Sequence, residues 1–542
     1  MTADVTVGLY HVHDFELQSS TAHDNPFLVK LSATFEHESG LRIEGIPGFH
    51  DGQDRWVIRF SPLRQGTWRG RTQSEDPQMD GIDLGCVHCT PNENPNVHGR
   101  VRISARSSRR VAFDDGVPLV PIGFECDWLF AFHQRMGQPK GKPVDPSIDA
   151  FEPTMDLLTR CGFNYIVTNL YAHTGFSDPS LPWVFVPPDV FPFGGSNDAP
   201  DHTKLNVDFF RDFDAMMASL HRRGIIVHLM IQVQNKQVKW PTRRSKEDQM
   251  FWRYVVARYQ AYCNVIWDVS KESFNLFKQT GSHDYLVSRI ELIRRLDAYN
   301  HLVTSHDTET SSWARTTLAD QACDLLCDQI HLEGDKDVPV LRSVRRYNRE
   351  TVRRFRNQSK PYMDIEHGYE LAEETLPTYT ASGRTRIWQD ILMWTWGIYV
   401  GGGYATYYHS NTSWDLVKFD PVPSSWHRYK YLADFLAMMD LEVMAPDNDF
   451  VERGMCLAEP GRQYLVYLPE GGDEIIDLTA VPRGSLVKCT WLDTHTGQRA
   501  ETMVDGRNFV LPLPNPLEDP NHPCAVYVRA VEQFSLHGHR QA

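Results

Sequence analysis

Two glutamates follow predicted β-strands, at positions where their carboxyl groups could act as a pair. Glu272 ends the segment Trp267-Asp268-Val269-Ser270-Lys271-Glu272, and Glu366 follows the short run Tyr362–Ile365. Two carboxyl groups that face one cavity suit hydrolysis of a glycosidic bond, because one protonates the leaving oxygen while the other attacks the anomeric carbon or activates water. Burial and mutual repulsion would raise the pKa of one of them, so that it holds a proton near neutral pH.

Other acidic residues compete for these roles. The chain has 70 acidic residues, so some of them follow strands by chance. Asp364 lies two residues before Glu366, on the same face of the predicted strand, and is the alternative nucleophile. Glu125 and Asp127 stand near the first predicted barrel strand and could also reach the site.

Aromatic and polar residues near the predicted strand ends form a set of candidate sugar contacts. Sugar rings present flat C–H faces that pack on aromatic rings, and sugar hydroxyls need polar partners. The alternative is that the aromatic residues fill the core and the polar ones are satisfied residues of the rim. The predicted substrate-binding residues are Asp127, Trp128, Tyr171, Gln232, Trp267, Lys271, His306, His331, Tyr369 and Trp414, with Asp307 as a further polar candidate.

The middle of the chain, 101–444, must position these residues. Short apolar runs alternate there with stretches of helical period such as Val207–His221. Eight strands with intervening helices predict a (β/α)₈ barrel, in which the carboxyl ends of the strands share one rim. The predicted strands are Pro118–Gly123, Tyr165–Asn169, Ile225–Ile231, Val265–Val269, His301–Ser305, Leu325–Ile330, Tyr362–Ile365 and Tyr404–Tyr408.

The two ends of the chain have a different pattern. Residues 1–100 and 445–542 contain short alternating runs, such as Arg55–Phe60 and Leu486–Trp491, separated by turn residues. Each end therefore predicts a β-sandwich. The expected fold class is α/β: a TIM barrel flanked by an N-terminal and a C-terminal β-sandwich.

Composition narrows the classes of partner. Acidic residues outnumber basic ones, 70 to 55, which gives a formal net charge of −15. This balance disfavours nucleic acid and anionic membranes, because no basic block replaces phosphate counterions. No apolar run approaches the length of a membrane span. The expected partner is a carbohydrate substrate, and a second copy of the chain could complete the pocket.

The ten cysteines and the first residues bear on the compartment. The cysteines are scattered rather than densely framed, which indicates reduced thiols and a cytoplasmic protein. Met1–Glu16 lacks the basic start and apolar core of a signal peptide, so none is predicted. Because polymers do not enter the cytosol, a cytoplasmic location favours small substrates.

Metal and nucleotide chemistry find little support in the sequence. Cys86-Val87-His88-Cys89 is a lone C-x-x-C, which lacks the second pair that a closed zinc site needs. His11 and His13 share one strand face without further ligands. The dinucleotide, phosphate-loop, H-E-x-x-H and G-x-S-x-G patterns are absent. Neither step of the two-carboxylate reaction requires a cofactor or a metal, so none is expected.

The N-terminal part contains Asn25-Pro26-Phe27, Gly48–Gly52, Arg59–Pro62 and Gly66–Trp68, and these segments resemble a β-sandwich of unknown function that precedes many bacterial glycosidase barrels. The central part contains Pro121–Phe130, Leu205–Phe210 and Ala257–Trp267, which resemble the apiosidase-like barrel family. The last part contains Trp491–Gly497, which resembles a small C-terminal sandwich labelled collagen-binding in that family.

The resemblance implies a retaining glycoside hydrolase of the clan A type, in which the acid/base follows the fourth barrel strand and the nucleophile the seventh. When these positions are transferred to this chain, Glu272 matches the acid/base and Glu366 matches the nucleophile. The clan usually has Asn directly before the acid/base, where this chain has Lys271. Apiosidase-like members can also carry Asp at the position of Glu272.

The sequence therefore supports a hypothesis and a rival. The hypothesis is a cytoplasmic, exo-acting, retaining glycosidase of small oligosaccharides or glycosides, with catalytic carboxyls about 5–5.5 Å apart. The rival is a carbohydrate-binding or scaffold protein that has lost catalysis. Lys271 keeps the rival open, because a cation beside the acid/base could lower the pKa of that acid and impair proton donation. The sugar, its ring form and its linkage stay undetermined.

Overall fold

The computed structural model describes residues 4–133, 151–173, 191–308, 321–330, 339–372, 385–413, 417, 422–505 and 510–531. A parallel barrel forms the centre, and separate, mainly antiparallel sheets lie at both ends of the chain. No helix within these residues is long and apolar enough to cross a bilayer. The predicted fold class is confirmed.

The barrel strands form a ring in which every pairing is parallel. The eighth strand pairs with both the first and the seventh, as in Ile122 opposite Ala405 and Met363 opposite Tyr404. In this article the barrel strands, first to eighth, are Ile122–Glu125, Tyr165–Asn169, Ile226–Val233, Val265–Lys271, Val303–Thr304 with His306–Thr308, Leu326–Gln329, Tyr362–Asp364 and Tyr404–His409.

The fifth barrel strand is divided at Ser305. Its first part pairs with the fourth strand and its second part with the sixth. His306 and Asp307, which were predicted to follow this strand, therefore lie within its second part.

All eight predicted barrel strands are found, with different ends. The first begins at Ile122, because Pro118–Leu119 belongs instead to a small sheet with Val111–Phe113 and Val101–Ile103. The third and fourth strands extend beyond their apolar cores to Val233 and Lys271. Polar residues at these two ends continue the backbone hydrogen-bond ladder, as Gln232 does opposite Ser270. Hydrophobicity alone therefore underestimates the lengths of the two strands.

Helices cover the outside of the barrel. Val207–Arg222 begins at Asn206, whose side chain accepts from the Phe209 amide, and it buries Phe209, Phe210 and Phe213 as its apolar period predicts. The helices are Leu129–His133, Phe151–Arg160, Val207–Arg222, Lys246–Tyr259, Ser273–Thr280, Asp284–Leu296, Val340–Asn357, Trp388–Val400 and Trp426–Leu436, with 3₁₀ turns at Pro26–Leu28, Leu441–Val443 and Asn448–Phe450.

Two sheets form the N-terminal β-sandwich. They enclose a core that includes Phe35, Ile58 and Trp68. In spatial order the larger sheet contains Val5–Gly8, Asp83–Thr90, Gly66–Ser74, Leu31–His37 and Arg42–Pro47, and the smaller contains His13–Gln18, Arg55–Phe60 and Phe49–His50.

The C-terminal β-sandwich packs on the last barrel helices, where the Tyr467 ring stacks on Trp396 at a centroid distance of 5.5 Å. In spatial order its larger sheet contains Ala445–Pro446, Met455–Glu459, Gln463–Leu468, Cys524–Val531, Leu486–Asp493 and Arg499–Asp505. The smaller sheet pairs Glu474–Asp477 with Val510–Leu513. Two further pairs lie near the barrel: Phe193–Gly195 with Pro200–Leu205, and Tyr369–Glu370 with Thr385–Arg386.

A buried ion network joins the N-terminal sandwich to the barrel. Arg59 of the sandwich binds Asp14 at 2.8 Å and Asp214 of a barrel helix at 3.0 Å. Arg258 of the next helix binds the same Asp214 at 2.8 Å and Asp51 of the sandwich at 3.0 Å. Both arginine side chains are nearly inaccessible, 5% and 1% exposed, so each depends on these partners for its charge.

We expect Asp214→Asn to lower the free energy of unfolding by about 3–5 kcal/mol, because two buried guanidinium groups lose their shared carboxylate. Burial opposes ionisation of Asp214, but Arg59 and Arg258 outweigh it and lower its pKa. The stabilisation should therefore be present at pH 7 and disappear as the pH falls below the ordinary aspartate range. Urea unfolding at pH 7 and pH 3.5 measures both effects.

Asp434→Asn is the matched control, because Asp434 pairs with Lys430 on an exposed helix face. Its loss should change stability by less than about 0.5 kcal/mol. Equal effects of the two substitutions would contradict the importance of the buried network.

Candidate active site

Inward-facing polar residues fill the middle of the barrel below the rim. The Tyr165 hydroxyl and His228 Nδ1 are 2.7 Å apart, and His228 Nε2 lies 2.7 Å from Asp268 Oδ2. All three side chains are buried and come from the second, third and fourth strands. They tie adjacent strands together and make a rigid floor under the rim.

Lys271, the last residue of the fourth strand, lies at the centre of the rim. Its Nζ is 2.5 Å from Glu125 Oε1, 2.9 Å from Asp127 Oδ1 and 3.5 Å from Glu366 Oε2. The Tyr408 hydroxyl is 3.5 Å from the same nitrogen. These residues follow or belong to the first, fourth, seventh and eighth strands, so closure of the barrel brings them together.

Glu366 is held from three sides. The Tyr369 hydroxyl donates to its Oε1, and Lys271 lies near its Oε2. His306 Nε2 lies 4.0 Å from the same oxygen and 2.8 Å from Gln329 Oε1. Burial outweighs the attraction of Glu366 and lowers the pKa of His306 to about 4, so the imidazole is neutral and its Nε2–H donates to Gln329.

Glu272 follows Lys271 in an unusual backbone conformation. Its φ of 49° and ψ of 55° are left-handed, a strained region for a residue with a long side chain. The side chain is only partly buried, and its Oε2 accepts hydrogen bonds from Asn235 and, at 2.9 Å, from Asn275. The strained backbone turns the chain out of the strand and starts the helix Ser273–Thr280, and strain of this kind is concentrated at functional sites.

The two carboxyl groups nearest Lys271 differ in charge. Burial raises the pKa of Glu125 well above its usual value, with added repulsion from Asp127 and Glu366, although Lys271 opposes the shift. Burial also disfavours ionised Asp127, but Lys271 and the Tyr408 hydroxyl outweigh it and lower its pKa. The surroundings therefore favour the protonated form of Glu125 and the carboxylate form of Asp127.

Several buried polar atoms around this cluster have no hydrogen-bond partner among the described residues. They are Glu125 Oε2, Asn169 Oδ1 and His306 Nδ1. Burying such groups without partners is costly, and native proteins satisfy most of them. A polyhydroxylated ligand offers both donors and acceptors, which is the chemistry these atoms lack.

The structure brings together some of the predicted site residues. Lys271, Asp127, Glu366, Tyr369 and His306 lie in one cluster. His331 and Trp414 are outside the described residues. Within the part of the chain that is described, no group of three or more potential metal ligands is found. Cys86 and Cys89 lie three residues apart on one strand and so face opposite sides of its sheet.

Other predicted sugar contacts have partners elsewhere. Trp267 lies on the outer face of the fourth strand, where its indole donates to Asp297 at 3.0 Å, so its prediction as a sugar contact is wrong. Tyr171 donates to Asn197 and packs on Phe130. Strand alternation places Trp267 on the face opposite to Asp268, which contacts His228 inside the barrel. Tyr171 lies beyond the end of the second strand, so alternation does not place it.

Two further predicted sugar contacts, Trp128 and Gln232, also have neighbours within the protein. Trp128 is fully buried beside Phe130, with a ring distance of 5.8 Å. Gln232 lies 3.4 Å from the Tyr285 hydroxyl and accepts from Gln234 at 3.1 Å.

Asp364 has different neighbours from Glu366. Its Oδ1 accepts from the Ile330 amide at 3.3 Å, and Asp328 and Arg354 are the charges that act on it. Burial raises its pKa well above the usual value. The seventh strand ends at Asp364, so the predicted shared face of Asp364 and Glu366 is wrong: the alternation stops before it reaches Glu366.

Sequence reasoning did not identify several contributors. Asn169 donates to Asp127 at 3.0 Å, the Tyr408 hydroxyl donates to Asp127 at 2.6 Å, and Gln329 orients His306. Asn235 and Asn275 bind Glu272. Asn169, Gln329 and Tyr408 lie at or near the ends of their strands, so a search of every strand end for amides and hydroxyls would have found them.

The charge states predict opposite pH effects for two isosteric substitutions. Because the pKa of Glu125 is raised in the folded protein, the contribution of this residue to stability falls as the pH rises above about 4.3, and Glu125→Gln should gain in stability relative to wild type between pH 5 and pH 8. Asp127→Asn removes an ionised partner of Lys271. It should be less stable than wild type at pH 7, by an amount that shrinks on acidification.

Thermal denaturation of both variants across this pH range is the measurement. A melting-temperature difference between Glu125→Gln and wild type that does not shift in favour of the variant as the pH rises would contradict a raised pKa of Glu125. An Asp127→Asn deficit that grows on acidification would contradict an ionised Asp127.

Comparisons with known proteins agree with this geometry. Residues 158–430 match the family model described as the apiosidase-like catalytic domain, and residues 6–75 match a domain of unknown function. None of the curated proteins compared matches this chain in sequence.

Solved structures share the fold at low sequence identity. A glycoside hydrolase structure from Bacteroides vulgatus ATCC 8482 superposes with a TM-score of 0.73 at 18% identity, covering 98% of this chain and 100% of that one. A family 5 glycoside hydrolase from the same organism gives a TM-score of 0.60 at 14% identity, covering 80% and 93% of the two chains. A third structure, titled a glycoside hydrolase, gives 0.59 at 15% identity over 80% and 97%.

The family match spans the barrel from its second to its eighth strand, and thus contains both Glu272 and Glu366. The chain belongs to the apiosidase-like family and is a glycoside hydrolase.

Proposed function

We propose that the chain is a retaining, exo-acting glycosidase of small glycosides, in which Glu366 attacks the anomeric carbon and Glu272 is the acid/base. The observation that carries the proposal is the setting of Glu366, a buried carboxylate after the seventh strand that contacts both a tyrosine hydroxyl and an ammonium group. These contacts position the carboxyl group and favour its ionised form, as a nucleophile requires.

Glu272 is suited to exchange protons. It follows the fourth strand on the same rim and is only partly buried, so a leaving group and water can reach it. In the first step it protonates the leaving oxygen while the bond from Glu366 to the anomeric carbon forms. In the second step it removes a proton from the water that releases the sugar from Glu366.

Two side-chain amides bind the carboxyl group of Glu272. Asn235 and Asn275 both donate to Oε2, which favours the ionised form. Approach of a leaving group on Oε1 would leave these donors in place, so they orient the carboxyl group. We propose a carboxyl separation of about 5–5.5 Å in the reacting complex, as in retaining enzymes.

The charge of the site favours an uncharged sugar. Four carboxyl groups act on the Lys271 ammonium group: those of Asp127, Glu125, Glu366 and Glu272. Lys236 is a second cation that acts on Asp127, so the carboxyl groups outnumber the cations. A uronate or a sugar phosphate would add an anion to this group of carboxyls and be repelled. Neutral pentosides and hexosides are therefore the proposed substrate class.

The proposed compartment is the cytoplasm, with small glycosides as substrates. Nine of the ten cysteines are buried, and no disulfide joins any of them within the described residues. This state fits a reducing compartment.

A non-catalytic carbohydrate-binding protein is the second candidate. It is favoured by Lys271, which stands where the clan usually has Asn, and by the amides that stabilise ionised Glu272. In such a protein the same polar atoms would bind a sugar without turnover.

The test is hydrolysis of a panel of neutral aryl pentosides and hexosides, as pyranosides and furanosides, together with one uronide. We expect wild type to cleave a neutral glycoside, and Glu272→Gln and Glu366→Gln to lose about a thousandfold in rate, because each removes one of the two reacting groups. Retention of anomeric configuration in the first product, followed by NMR, checks the double displacement.

Two control variants accompany the panel. Asp364→Asn replaces a buried carboxyl outside the cluster, and Glu518→Gln changes an exposed residue of the C-terminal sandwich. Both should keep most of the rate. An active Glu366→Gln with an inactive Asp364→Asn would refute the assignment of the nucleophile, and glycoside binding without turnover by wild type would favour the second candidate.

A further inference from the structure

Lys271 is enclosed by groups that fix its charge. Its side chain is 2% exposed, and an ammonium group in such a place is stable only when it is paired. Burial lowers the pKa of Lys271, but Asp127, Glu125 and Glu366 outweigh this effect and raise it well above the usual value. The group is therefore a permanent cation, unsuited to act as a nucleophile or a general acid.

The neighbours of Lys271 also fix its position. An ammonium group has three N–H donors, and Glu125 and Asp127 lie closest to it, at 2.5 and 2.9 Å. Asp127 is itself held by Tyr408 at 2.6 Å and Asn169 at 3.0 Å. The Tyr408 hydroxyl accepts from the ammonium group at 3.5 Å, and Glu366 Oε2 forms an ion pair with the same nitrogen at 3.5 Å.

We propose that Lys271 is a positioning residue for Glu366: its ammonium group, anchored by Glu125 and Asp127, holds the Glu366 carboxylate in place and ionised for attack on the anomeric carbon. This inference rests on the proposed function. It assigns Lys271 to the nucleophile, whereas the sequence suggested an effect on the acid/base. It also removes Lys271 from the predicted sugar contacts, because its donors are directed at protein oxygens.

The clan's usual asparagine could not do this. An amide is neutral, and it both donates and accepts, whereas an ammonium group only donates and carries a full charge. In a site with several carboxyls, the charge is what allows Asp127 and Glu366 to be ionised at the same time. Glu366 should therefore stay ionised at a lower pH than it would beside an amide.

The test compares wild type with Lys271→Met on the glycoside that wild type cleaves. We expect kcat to fall about a hundredfold while KM changes less than about threefold, because the lysine acts through Glu366 and not on the sugar. The acidic limb of the pH profile of kcat/KM should move up by about one unit, a tenfold gain in the affinity of the nucleophile for a proton. Lys271→Arg, which keeps the charge, should restore the acidic limb.

Folding controls separate this effect from structural damage. Lys271→Met leaves buried carboxylates without a cation, so the double variant Lys271→Met/Asp127→Asn restores the balance of charge if the single variant does not fold. Lys430→Met, on an exposed helix face, is the matched control and should leave the profile unchanged.

A measurement without substrate separates this inference from the proposed function. In protein labelled with ¹³C at the glutamate carboxyl, the Glu366 signal is assigned by its loss in Glu366→Gln and titrated with and without Lys271. An upward shift of the titration in Lys271→Met supports the inference even if wild type hydrolyses no glycoside, which by itself would count against the proposed function. An unshifted titration, or a raised KM with an unchanged acidic limb, would overturn the role of Lys271.

Discussion

The buried ammonium group of Lys271 is the interaction around which the rim of the barrel is organised. It lies within 3.5 Å of carboxyl oxygens that follow or belong to the first and seventh strands. Without those carboxyl groups the cation would be buried without a partner, and without the cation the carboxyl groups would repel one another at these short distances. The charge balance of the site therefore depends on the arrangement of these groups, and their arrangement depends on the charge balance.

Closure of the barrel produces that arrangement. Because the eighth strand pairs with the first and the seventh, Glu125, Glu366 and Tyr408 meet although they are far apart in the chain. The floor of Tyr165, His228 and Asp268 ties the second, third and fourth strands together below them. The ion network of Arg59, Asp214 and Arg258 then fixes two outer helices to the N-terminal sandwich.

Glu272 differs from the rest of the site because its position comes from a local backbone conformation. The left-handed turn at Glu272 ends the fourth strand and starts a helix, and the amides of Asn235 and Asn275 receive its carboxylate. The buried Glu366 and the partly exposed Glu272 suit the different roles proposed for them. A nucleophile must be held in place, whereas an acid/base must meet both the leaving group and water.

The sequence by itself determined the order of the sheets and barrel strands, and placed Glu272 and Glu366 after the fourth and seventh. Apolar runs indicate buried segments, and turn residues indicate chain reversals. Both are local properties that can be read from the sequence. Tertiary structure alone decided which side chains meet. Trp267 faces a helix, Asp364 faces Arg354, and Lys271 reaches Glu366, because strand ends and barrel closure set the direction of each side chain. Charge states depend on the same long-range neighbours, and no local pattern encodes them.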